Sequence, residues 1–197
     1  MRGKGVKKQR GFTLVELSIV LVIIGILLAG ILKGQAMIKQ AKIKRVKSDI
    51  DSIVAAVYNY QDRYGFFPGD DPNNRSSDLN ATGCTGGDGD GLFDTDKQDE
   101  RICAWQELIG AGFMSGDPTQ HDETKVAKTN PFGGRYLFRY GTQHGRTGNY
   151  IFVDNLPKDV DKALDEKYDD GKYDQGTIRA SDDYTGDGVV DQYWFVF

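Results

Sequence analysis

Glu16 is the lone charged residue in FTLVELSIVLVIIGILLAGIL, the run from Phe12 to Leu32. A carboxylate at membrane depth costs from about 2.5 kcal/mol upwards on an isolated helix. It becomes tolerable through protonation, through a cationic partner, or by snorkelling to the headgroups. Lys33 lies about five helical turns further on, and the nearer base is Arg10, ahead of the run. The sequence therefore raises the question of what neutralises Glu16.

Two acidic stretches form a second set. GGDGDGLFDTD holds Asp88, Asp90, Asp94 and Asp96, and SDDYTGDGVVDQ holds Asp182, Asp183, Asp187 and Asp191. Calcium takes six to eight oxygen ligands, which alternating Asp on Gly-containing turns can supply. Asp183, Thr185, Asp187 and Gly188 follow the start of an EF-hand loop, but neither stretch continues to a Glu at the twelfth position. The candidate calcium ligands are Asp183, Asp187 and Asp191 in one stretch and Asp88, Asp90 and Asp94 in the other. The competing reading is a pair of ordinary Asp/Gly turns. No cofactor is otherwise required.

Cys84 and Cys103 are the only cysteines. Outside the cytoplasm they are expected to pair, closing a loop of roughly 20 residues that contributes about 3 kcal/mol. The alternative is two separate buried thiols. Catalysis is not expected. His121 and His144 lie in polar stretches, and no Ser or Cys sits in a nucleophile-elbow context. The glycines near Gly86 come with acids that would repel phosphate. Trp105 and Trp194 are expected to pack the core.

These residues need elements to hold them. Phe12–Leu32 has the ~20 apolar residues needed to cross a bilayer. It exceeds the ~7–15 residues of a secretory h-region, the competing reading of the N-terminus. Apolar residues then continue at helical spacing to Tyr60, and there is no proline before Pro68. One helix of roughly 50 residues, about 80 Å long, is expected, apolar all round and then amphipathic. Gly30 and Gly34 are spaced for close helix approach, or are merely tolerated in a membrane helix.

Gly65, Pro68 and Pro72 end the helix. A second, short helix is expected within TDKQDERICAWQELIGAGF, with Thr95 as its N-cap. Gly134–Tyr140 and Asn149–Asp154 read as a hairpin joined by the longer loop GTQHGRTG. Pro157–Gly171 reads as a short helix, Gly176–Ala180 as a brief strand and Asp191–Phe197 as a terminal strand.

The net charge is −4, yet the first eleven residues carry five bases and no acid, which leaves −9 on the remainder. A broad nucleic-acid surface is therefore not expected. Both flanks of the span are basic, so the positive-inside rule does not orient it cleanly. A long C-terminal domain tends to translocate, which places the N-terminus in the cytoplasm.

The stretch KKQRGFTLVELSIVLVIIGILLAG resembles the type III signal of type IV prepilins and type II secretion pseudopilins. It has the basic leader (Lys7–Arg10), the Gly (Gly11), the aromatic first mature residue (Phe12), the Glu four residues on (Glu16) and the span. FPGDDPN, AWQELIGAGFMSG and ALDEKYDDGKYDQGTIRA are similar to segments of some pilin-like proteins. The resemblance implies cleavage between Gly11 and Phe12 by a prepilin peptidase and N-methylation of Phe12. It also implies that Glu16 meets the Phe12 amine of a neighbouring subunit. Unlike many pilins, the membrane half has no proline, so a proline-induced break is not assumed.

The expected fold is α+β and pilin-like, with a long N-terminal helix on a small antiparallel sheet. The expected organisation is a cleaved leader (1–11), a membrane and filament-core helix (12–32), its amphipathic half (33–64) and a globular domain (65–197). The expected role is a structural subunit, leaning towards a minor one, of a type IV pilus-like filament. Alternatives are a type II secretion pseudopilin or a membrane-anchored adhesin. The partners implied are prepilin peptidase, other pilin or pseudopilin subunits, an inner-membrane assembly platform and the lipid bilayer. The expected location is the bacterial inner membrane with the globular domain periplasmic, then a surface pilus or a periplasmic pseudopilus.

Overall fold

The computed structural model describes residues 11–73, 75–94 and 100–197. The leader ahead of Gly11, together with Thr95 and Asp96, lies outside the described residues. The chain divides into two units, one ending at Ala41 and the other spanning Lys42–Phe197. Helix α1 (Leu14–Tyr64) contributes to both.

In the first unit, none of the residues from Gly11 to Leu32 is buried. The helix is apolar and long enough to cross a membrane. Beyond their chain neighbours and the helix's own nearby backbone, Gly25, Gly30 and Gly34 have no atom within 4 Å of where a Cβ would sit. Their faces meet nothing among the described residues.

In the second unit, α1 becomes one-sided. Its buried apolar positions include Ile43, Val46, Ile50, Ile53, Val57 and Tyr60, spaced alternately by three and four residues. That spacing puts them on a single stripe facing a core. After Tyr64 the N–H of Gly65 closes the helix on the carbonyl of Gln61 at 2.7 Å.

The stripe forms one core with α3 (Glu100–Gly110) and a four-stranded antiparallel sheet. The strands are β1 (Tyr136–Gln143), β2 (Arg146–Pro157), β3 (Ile178–Ala180) and β4 (Val189–Trp194), in spatial order β1-β2-β4-β3. Helix α2 (Ser76–Leu79) and helix α4 (Glu123–Val126) are single turns, and α5 (Lys158–Tyr168) links β2 to β3. Trp105, Phe138 and Phe93 sit at the centre. The Phe138 ring lies 5.0 Å from Trp105 and 4.8 Å from Phe93. Trp194 is also buried in this core.

The hairpin is tighter than the sequence suggests. The expected loop Gly141–Gly148 is largely strand, and Gln143 pairs with Arg146 across a two-residue turn. His144 (φ 48°) and Gly145 (φ 81°) both take positive φ, the requirement of a type I′ hairpin turn. The terminal strand also ends earlier than expected, at Trp194. The chain then folds back so that the Phe197 ring lies 5.5 Å from Phe93.

Two polar clusters tie this second half of α1 to the rest of the unit. Asp49 is buried and accepts from Arg45 at 2.9 Å, Lys128 at 2.8 Å and the Tyr136 hydroxyl at 3.2 Å. Glu107 on α3 accepts from the Tyr60 hydroxyl at 2.8 Å and the Gly69 N–H at 2.7 Å. Burial pushes the Glu107 carboxyl up to about 7, against the lowering effect of those two donors.

Phe138 fills the space between α3 and the loop carrying Phe93, with no exposed surface. Phe138→Ala should therefore cost about 3–5 kcal/mol. Chemical denaturation of the full chain in detergent micelles, beside the parent, checks this.

Candidate functional site

Glu16 sits in the first turn of α1. Thr13, just before the helix, donates its backbone N–H to Glu16 Oε2 at 2.8 Å and its hydroxyl to the same oxygen at 2.9 Å. In return, Glu16 N–H donates to Thr13 Oγ1 at 3.2 Å. This is a reciprocal capping box, which satisfies donors that the first turn of a helix otherwise leaves open. The Thr-x-x-Glu spacing that signals it stands in the sequence, and Thr13 is the functional residue missed there. Within one chain Glu16 thus has a structural task, and both Thr13 donors converge on one oxygen. Gly11 and Phe12 precede the helix, exposed.

The sulfurs of Cys84 and Cys103 are joined, with Cα atoms 5.6 Å apart. The bond ties the loop after Ala81 to α3. His121 lies beside this pair, but disulfide sulfurs are not thiolate ligands. Its Nδ1 instead lies 3.0 Å from Gln106 Oε1. His144 is exposed at the hairpin tip, with Nε2 2.8 Å from the Ala180 carbonyl.

The acids proposed as calcium ligands separate into two cases. Asp183 Oδ1 accepts from the backbone N–H and the hydroxyl of Thr185, forming an Asx turn. Lys158 reaches into the same turn, donating to Asp182 Oδ2 at 2.8 Å and to the Thr185 carbonyl at 3.0 Å. An ammonium thus already lies among these oxygens. Asp187 lines a small cleft of about 190 Å³ with Lys158 and Asp159. Asp191 is on β4, where its backbone N–H donates to Ser181 Oγ. Among the described residues, Asp183, Asp187 and Asp191 do not converge as a ligand cluster.

Asp88 and Asp90 do converge, with a residue the sequence reading passed over. One carboxylate oxygen from each of Asp70, Asp88 and Asp90 lies within 4.8 Å of the others. Asp70 follows the end of α1 in FPGDD and is buried. Its two oxygens accept from Gly89 N–H at 2.7 Å and Gly91 N–H at 2.8 Å. Burial raises the Asp70 carboxyl, with help from the charges of Asp90 and Asp88. Glu100, the first residue of α3, is pushed up to about 8, first by burial and then by Asp70, Asp94 and Asp88.

A further acid, Asp161 on α5, is buried and accepts from Gln192. Burial, and then the neighbouring Asp165, push it up to about 8. Asp165 in turn accepts from Gly171 N–H at 3.0 Å and from the Tyr184 hydroxyl at 2.5 Å.

Residues 6–32 match the family model described as the prokaryotic N-terminal methylation motif. The chain carries the prepilin signal of type IV pilins and pseudopilins, which supports a pilin- or pseudopilin-like precursor. The signal implies processing by prepilin peptidase and assembly with other pilin subunits. It points to a structural subunit, and the apolar helix behind it to membrane anchoring. No curated protein and no solved structure matches the chain.

The raised carboxyl of Asp161 sets a pH dependence. The folded chain holds a proton that the unfolded chain has lost above the ordinary carboxylate range. The stability this group contributes is complete below that range and is lost as pH rises towards about 8. Thermal midpoints in chelator should therefore fall between about pH 4 and about pH 8. In Asp161→Asn, whose amide stays neutral, the fall should be shallower.

Proposed function

We propose that the chain is a structural subunit, of the minor kind, of a type IV pilus-like filament. Cleavage occurs between Gly11 and Phe12, the new amine of Phe12 is methylated, and the subunit waits in the inner membrane with its N-terminus cytoplasmic. Extraction into a filament then exchanges lipid for other helices around Phe12–Leu32. The observation that carries the reading is the first unit itself, an apolar helix exposed on every face with Glu16 in its first turn. Such a surface needs lipid or copies of itself around it.

In this reading Glu16 works in two settings. In the single chain it caps its own helix through Thr13. In the filament its carboxylate also meets the Phe12 amine of a neighbour, a charge-assisted contact in an environment without water. Asp49 and Glu107 hold the second half of α1 within the globular unit. The acidic, loop-rich character of residues 65–197 leans the reading towards a minor subunit rather than the bulk of the fibre.

Glu16→Ala should leave processing at Gly11 largely intact and reduce incorporation into sheared filaments roughly tenfold or more. Normal incorporation of the alanine variant would refute the assembly role. Removing the prepilin peptidase separates this reading from that of an anchored binding module. A filament subunit then fails to assemble, whereas an anchored module keeps working uncleaved.

A further inference from the structure

Three segments distant in sequence meet at the start of α3. Asp70 arrives from the loop that ends α1, Asp88 and Asp90 from the Gly-rich loop, and Glu100 from the helix itself. Two glycines permit the approach. A Cβ on Gly69 would stand 2.1 Å from the Glu100 carbonyl oxygen, and one on Gly87 would stand 2.4 Å from Asp70 Cα and 2.7 Å from Glu100 Oε1. The fit leaves no room for a side chain between these backbones.

Other bonds hold the loop in place. Asn149 on β2 accepts from Phe93 N–H at 2.9 Å and donates to the Gly91 carbonyl at 2.6 Å. The disulfide fixes Cys84, four residues before Asp88, to Cys103, one helical turn after Glu100. The acids therefore sit on a backbone constrained at both sides.

Within this frame Glu100 is 2% exposed, and among the described residues its Oε2 accepts no hydrogen bond. A buried carboxylate oxygen without a donor costs free energy, and neighbouring acids increase the cost. Its other oxygen lies against Gly87, next to Asp88, and the charges of Asp70, Asp94 and Asp88 add to burial in raising its carboxyl. Such a group is relieved either by keeping its proton or by a cation that the other carboxylates also bind.

We infer that Asp70, Asp88, Asp90 and Glu100 form a binding site for a calcium ion that joins the loop after α1 to the Gly-rich loop and to α3. The donors are all oxygens, which suits a hard divalent cation. Asp88 and Asp90 are open to water while Asp70 and Glu100 are buried, a mixed set of carboxylate and water oxygens that suits calcium's variable coordination better than the strict octahedron of magnesium. The raised carboxyls of Asp70 and Glu100 accord with a site of excess negative charge that a divalent ion would neutralise. The turn at Asp183 differs, because Lys158 already supplies a positive charge there. The inference is independent of the filament reading.

The test uses the full chain in detergent micelles, with Ca²⁺ alone as the probe, by calorimetric titration and by thermal unfolding in calcium and in chelator. Calcium should raise the thermal midpoint of the parent and bind to a single class of site. The Asp88→Asn/Asp90→Asn double variant, altered at exposed side chains, should bind roughly tenfold or more weakly. Glu100→Gln should also lose affinity while matching or exceeding the parent midpoint in chelator, since the amide imitates a protonated acid. Asp183→Asn should bind calcium as the parent does. The inference is overturned if millimolar calcium gives the parent neither heat nor a shifted midpoint. It is equally overturned if the Asp88/Asp90 double variant titrates like the parent, or if binding is lost in Asp183→Asn instead.

Discussion

The globular unit is organised by the stripe that runs from Ile43 to Tyr60 on α1. Spacings of three and four keep these side chains on one face, and burying them requires a surface of matching length. The sheet and α3 supply it, with Trp105, Phe138 and Phe93 filling the middle. Burial of such side chains contributes about 1.5–3 kcal/mol each. The polar atoms that accompany the stripe must then be satisfied inside. Asp49 does so with two cations and the Tyr136 hydroxyl, and Tyr60 does so by donating to Glu107.

The same helix obeys a different rule before Ala41. There the apolar residues cover every face and have no partner among the described residues, so the stripe gives way to a surface suited to lipid or to other helices. Thr13 and Glu16 fit this setting. A helix that begins near a membrane surface exposes backbone donors, and the capping box satisfies them without water. Thr13 engages only one of the two Glu16 oxygens, so the capping task is compatible with the subunit contact proposed above.

The long helix was legible because periodicity is a local property, and its change from all-round apolar to one-sided can be read off the sequence. The prepilin signal was legible for a similar reason, as its parts are contiguous. The tight hairpin was less so. GTQHGRTG lacks the Asn-Gly or Asp-Gly pair that marks a two-residue turn, and His144 takes the positive φ instead. The acidic clusters were the least legible. Asp88 and Asp90 could be singled out by their alternation, but Asp70 and Glu100 come from other segments and are brought to them only by the close approaches at Gly69 and Gly87. For the same reason the EF-hand-like turn at Asp183 was attractive in sequence, since the lysine inside it is supplied by α5.

The central claim is that this chain is made as a precursor and works as a filament subunit through its first mature residues. Intact-mass measurement on the chain recovered from sheared surface filaments tests it most directly. The account predicts a polypeptide that begins at Phe12 and carries a methyl group on its amine. A filament-borne chain that still retains its first eleven residues, or a chain cut elsewhere than between Gly11 and Phe12, would contradict it.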